Sequence, residues 1–174
     1  MEQEYVKLKT LDRIIHFSPS LYFLLAFLIV AGSIIAKGLF DLELLTMIAL
    51  IFSIPTAIFY MTQKQKLQFR LVKTPVSQNE FKELIKEISN EYKWTIHSQT
   101  GNEYTLKTNP GFMNQSWGQH ITMKLATGGI LVNSIFDTNK RTWLITFGSN
   151  TRNINVIEKI IEGKTKGQLV SNEQ

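Results

Sequence analysis

Three histidines, His16, His97 and His120, are the side chains of this chain best suited to proton transfer or metal ligation near neutral pH, and it has no cysteine at all. Without thiols there are no disulfides, no thiolate nucleophile, no Cys-ligated zinc and no iron–sulfur cluster. His97 and His120 fall in different strand-like runs, so two imidazoles meet if those strands are neighbours. No acidic or thiol ligand stands at a metal-binding spacing beside either, and the sequence holds no Gly-x-Ser-x-Gly, no phosphate loop and no Gly-x-Gly-x-x-Gly. The reading is therefore no catalytic residues, no metal and no cofactor.

Two segments are unusual enough to be binding surfaces. Asn109 to His120 (NPGFMNQSWGQH) joins aromatic, amide and hydroxyl groups with no formal charge, which suits contact with a peptide, a partner subunit or a splayed base through Phe112 and Trp117. The same two rings can equally fold back over a sheet edge. Asn139-Lys140-Arg141 is a basic hairpin tip, either solvated or set against phosphate or an acidic partner through Lys140 and Arg141. Direct nucleic-acid binding is disfavoured, because the basic residues beyond position 73 are nearly balanced by Asp and Glu.

The elements that carry these segments begin with two apolar runs, Ser20 to Ala36 and Leu39 to Tyr60, broken only by Lys37-Gly38. A hydrocarbon layer about 30 Å thick selects apolar helices of about 20 residues, so the runs read as a transmembrane hairpin. Neither run shows a polar face at helical spacing, which two core helices of a small soluble domain would need. Lys7, Lys9 and Arg13 precede the first run, and Lys64, Lys66, Arg70 and Lys73 follow the second, whereas only Lys37 lies between, with Asp41 and Glu43 near the outer end of the second run. Basic flanks favour the cytoplasmic side, which puts both termini in the cytoplasm of an inner membrane. The net charge of +5 thus points first to a bilayer.

Within the first run, Gly32 and Ala36, with Ser33 beside them, form a small-xxx-small face that lets helices approach closely, either inside the hairpin or between protomers. In the second, Thr46, Ser53 and Thr56 are expected to bond to their own backbone, and Pro55 to kink the helix. No charge falls at mid-span, so the usual mark of an ion pathway is missing.

The remainder predicts a small α+β domain: about five antiparallel strands with two helices on one face. Ser77 and Glu80 make a capping box ahead of Phe81, Leu84, Ile85, Ile88 and Tyr92 at helical spacing. Runs at 93–98, 103–108, 120–125, 130–136 and 142–147 alternate as strands, divided by turns at Gly101-Asn102, Pro110-Gly111, Gly128-Gly129 and 137–140. A last helix, capped at Asn150 or Thr151, carries Ile154, Ile157, Ile160 and Ile161 and is expected to stop at Gly163. The organisation reads as an amphipathic lead-in at 1–18, the hairpin at 19–61, a juxtamembrane linker or strand at 62–76, the cytosolic domain at 77–163 and a flexible tail at 164–174.

The stretch Ser116 to Asn153, with Trp117-Gly118, Val132-Asn133-Ser134, Asp137, Asn139-Lys140-Arg141, Phe147-Gly148 and Asn150 to Asn153, resembles a segment of small bacterial membrane-anchored proteins of unknown activity. In architecture and size the whole chain is similar to the small membrane accessory protein of type VI-B CRISPR systems. That resemblance implies a homo-oligomer that forms a pore in the bacterial inner membrane and strengthens RNA-guided antiphage defence beside an RNA-targeting effector. The family's degenerate ribonuclease-like Arg…His motif is not reproduced, since Arg152 has no nearby His and Arg13 lies only three residues before His16. The expectation is a non-enzymatic, self-associating membrane accessory or effector protein. The alternative is a membrane-tethered module that binds a cytosolic protein or nucleic-acid partner.

Overall fold

A computed structural model describes residues 4–38, 41–108, 118–137 and 149–171. The chain forms two compact units, one of residues 7–66 and one that combines residues 1–6 with 67–174. The expected lead-in therefore divides: its first residues belong with the domain.

In the first unit, α1 (Thr10–His16) leads into α2 (Ser18–Ala36), and α3 (Leu42–Lys66) packs back along α2. Pro19 sits in the first turn of α2, where its missing N–H costs nothing. The helix pair is joined by rings: Phe23 stacks on Phe59 at 5.2 Å, Phe17 lies 5.3 Å from Tyr60, and Phe27 lies 6.3 Å from Phe52. Such a pairing is antiparallel, because early residues of α2 meet late residues of α3. The polar side chains do bond to their own helices: Thr46 Oγ1 donates to Leu42 O at 2.8 Å, Thr56 Oγ1 to Phe52 O at 2.7 Å, and Ser53 Oγ to Leu50 O at 3.5 Å. Both helices are long and apolar enough to cross a membrane.

The second unit holds a five-stranded antiparallel sheet in the order β1-β5-β4-β3-β2. Its strands are β1 (Arg70–Lys73), β2 (Thr95–Thr100), β3 (Glu103–Lys107), β4 (Gln119–Ala126) and β5 (Gly129–Phe136). The stretch read as linker or strand supplies β1, at the far edge beside β5. The expected strand at 142–147 lies outside the described residues. Between β2 and β3 the loop is Gly101-Asn102, with Gly101 at φ 58, the left-handed first position that a tight hairpin turn requires.

α4 (Gln78–Glu91) connects β1 to β2 across the sheet, and its N-terminus carries the expected capping box: Ser77 Oγ accepts from Glu80 N, and Glu80 Oε2 accepts from Ser77 N at 2.8 Å. Phe81, Leu84, Ile85 and Ile88 are buried, but Tyr92 is not on that stripe; it caps the helix, 37% exposed, and packs on Trp94. The strand expected from 93 starts only at Thr95. Lys93 adopts φ 54, the left-handed residue that ends α4, while Trp94 N bonds back to Ser89 O at 2.9 Å.

α5 (Ser149–Ser171) runs past Gly163, contrary to the expected stop. Gly163 does not take the left-handed conformation that closes a helix, and glycine inside a helix costs only about 1 kcal/mol relative to alanine. From α5, Ile157 and Ile161 join α4 and the sheet residues Val72, Tyr104, Leu106, Ile121, Met123, Ile130 and Val132 in one core. The strand register places these sheet residues on one face, so both helices cover the same side.

Candidate functional site

On that helix-covered face, the alternation Gln119-x-Ile121-x-Met123 turns a glutamine toward α5. Gln119 is 2% exposed, and its amide donates to Asn150 Oδ1 at 2.9 Å while its carbonyl accepts from Asn153 Nδ2. Asn153 also reaches Ser134 Oγ at 3.3 Å. A polar side chain at this position would cost about 1–3 kcal/mol unpaired, so the network ties the first turns of α5 to β4 and β5. The sequence signal was present, since an amide interrupts an apolar alternation, but its asparagine partners lie more than thirty residues away.

The opposite face carries a cluster of ionisable groups. Asp137 is 3% exposed, with Oδ1 at 3.4 Å from His120 Nε2 and Oδ2 at 3.9 Å from Lys107 Nζ. Lys107 and His120 are register partners on β3 and β4, which explains why both reach the carboxylate that follows β5. His97 completes the group, its ring centroid 5.6 Å from that of His120. The condition set for the imidazoles, that their strands be neighbours, is not met, because β3 lies between β2 and β4. They meet all the same, at the irregularity between Ile96 and Ser98 where His97 has no register partner. Asp137 and Lys107 were not legible as site residues, because only the register brings them together.

Burial lowers the His120 pKa from its ordinary value of 6.5, with Lys107 and His97 acting in the same direction and Asp137 opposing them. A depressed imidazole is neutral in the folded protein at pH 7, and the unfolded chain takes up its proton first as pH falls below about 6.5. The linked stability is therefore lost downward from about pH 6.5, and it levels off below the folded pKa. We expect urea denaturation of the full chain in detergent, followed by tryptophan fluorescence, to show lower stability at about pH 5.5 than at about pH 7.5, and His120→Gln to reduce the difference. An unchanged slope in His120→Gln would assign the pH dependence to other groups.

His16 is placed elsewhere, in the helical unit. Its Nε2–H donates to the Gln63 carbonyl at 2.9 Å, one of the last four of α3, which no residue within the helix can satisfy. Burial lowers its pKa as well. That contact gives it a structural role as a cap for α3.

Gly32, Ser33 and Ala36 are exposed on α2, and a β-carbon added at Gly32 meets no atom within 4 Å. The small-residue face thus points away from α3 within the unit. Phe112, Trp117, Lys140 and Arg141 lie outside the described residues. The points where their segments leave the sheet are nevertheless joined: Thr108 N bonds to Gln119 O at 2.9 Å, and Asp137 N to Gly118 O at 3.2 Å. Among the described residues, no group of three His, Asp or Glu side chains is arranged to hold a metal ion. Comparison of the chain with protein-family models, with curated proteins and with solved structures gave no match.

Proposed function

We propose that this chain is a non-enzymatic, self-associating membrane accessory or effector protein whose α2–α3 pair spans the bacterial inner membrane as a hairpin. The α+β unit and both termini then lie in the cytoplasm. The observation that carries self-association is the outward small-residue face, with open space at Gly32 where a second helix can approach.

The bilayer is supported by the surface of the helix pair. Leu25, Ile29, Ile51 and Ile58 are 54%, 61%, 62% and 58% exposed, whereas core helices of a soluble domain bury such residues. With 19 and 25 residues, α2 and α3 are about 28 and 37 Å long, sufficient for a hydrocarbon layer of about 30 Å. Arg13, Lys64 and Lys66 flank the ends that would face the cytoplasm, near Tyr22 and Tyr60 at interfacial depth. A pore requires several hairpins, because two helices cannot enclose one. The setting in CRISPR-associated antiphage defence, beside an RNA-targeting effector, rests on the resemblance in architecture and size.

The test is the mass of the full chain in mild detergent across a concentration series. An oligomer is expected, and Gly32→Leu, which fills the approach face, should shift it to monomer at concentrations where the parent is assembled. A monodisperse parent monomer at every concentration would contradict the proposal.

A second reading, a membrane-tethered module for a cytosolic partner, is favoured by the adjacency of Thr108, Gly118, Gln119 and Asp137, from which both unusual segments depart. A pull-down unchanged by Phe112→Ala and Trp117→Ala would count against it.

A further inference from the structure

The two edges of the sheet are built differently. β1 has four residues, carries Arg70 and Lys73 at its ends, and is followed by Pro75. Short length, charge and proline are the usual devices that stop a sheet edge from recruiting another strand. Among the described strands β2 forms the other edge and has none of the three: Thr95–Thr100 is six residues long, without formal charge or proline, and every one of its residues is exposed. Ile96 is 41% exposed there, and Tyr92 and Trp94 pack together just before it with ring centroids 5.2 Å apart.

A bulge is also an edge-blunting device, and β2 has one. Here the unmatched residue is His97, whose ring turns in against His120, and Ser98, Gln99 and Thr100 continue in unbroken register with Thr105, Tyr104 and Glu103. A regular, uncharged stretch therefore remains at the edge.

We propose that the β2 edge takes up the same strand of a second copy, antiparallel, to make a continuous ten-stranded sheet across the dimer; this rests on the self-association reading above and names a surface for it. Charge favours a second copy over an unlike partner. An uncharged strand meets no like-charge penalty against itself, and Lys93 precedes β2 whereas Glu103 stands across the turn at its other end. A two-fold arrangement then sets the basic end of each copy near the acidic end of the other. Two anchored copies in one bilayer also meet at a high effective concentration, so a short added strand can suffice.

The absence of native cysteine makes the test direct. Ser98→Cys, near the centre of the strand, and Lys73→Cys, on β1, are each introduced into the full chain and exposed to mild oxidant in native membranes, and the same preparations are sized in detergent. Tryptophan fluorescence checks that each variant keeps the parent fold. A covalent dimer is expected from Ser98→Cys at several times the yield from Lys73→Cys, since antiparallel self-pairing brings a central residue within disulfide reach of its copy. An oligomer in which Ser98→Cys forms no dimer, or no more than Lys73→Cys, would overturn the β2 edge and leave helix-level association standing. A chain monomeric at all concentrations would overturn both.

Discussion

Alanine at position 129 is expected to destabilise the α+β unit by about 3 kcal/mol or more, the upper end of what overpacking costs. Gly129 opens β5 opposite Lys73 of β1, and a β-carbon there would stand 2.1 Å from Val72 O and 3.0 Å from Val72 C. Those atoms are backbone, so no rotamer change relieves the clash; β1 must move off the sheet. With β1 goes Val72, 5% exposed in the core, and the Arg70–Glu158 ion pair at 2.8 Å that joins this edge to α5. Gly128→Ala is the control. Its added carbon meets open space, and the cost is confined to the left-handed backbone at φ 87, about 1–2 kcal/mol. Trp94 lies in the α+β unit and no tryptophan falls within residues 7–66, so fluorescence during urea denaturation of the full chain does not read the helical unit. Equal midpoints for the two variants would show that β1 does not lie against Gly129.

Gln119→Leu is the second large effect, at about 2–3 kcal/mol despite conserved volume. Asn150 Oδ1 and Asn153 Nδ2 lose a partner that is 2% exposed, and leucine offers neither a donor nor an acceptor in return. The loss is expected to loosen the first turns of α5 while leaving the α4 core, centred on Phe81, intact. Hydrogen exchange should then rise at 150–157 and stay low at 81–88. Protection lost equally in both regions would mean that the network holds the whole unit rather than one helix.

These two residues also mark what can be read from sequence. Gly128-Gly129 is recognisable as a turn, but only Gly128 lies in it, and the demand on Gly129 comes from a strand more than fifty residues earlier. The capping box and apolar stripe of α4, and the hairpin at Gly101-Asn102, are local patterns and were legible. So were the two apolar helices and a five-stranded antiparallel sheet with helices. Strand order was not, because β1 joins the far edge through α4 and no local signal says which edge. The His97–His120–Asp137–Lys107 group shows the same limit: its members come from four different segments, and only register and a bulge bring them together. Gly163 fails in the other direction, as a local stop signal at which the backbone does not turn left-handed and α5 continues.

If α2 and α3 cross a bilayer as a hairpin, positions 37 and 73 lie on opposite sides of it, and cysteine accessibility reads this out. Lys37→Cys, between the helices, and Lys73→Cys, beyond them, are made singly in the cysteine-free chain, and cells are treated with a membrane-impermeant maleimide before and after the inner membrane is opened. Position 37 is expected to be labelled once the reagent reaches the outer face of the inner membrane, and position 73 only after that membrane is opened. Labelling of both positions from the same side would rule out the hairpin.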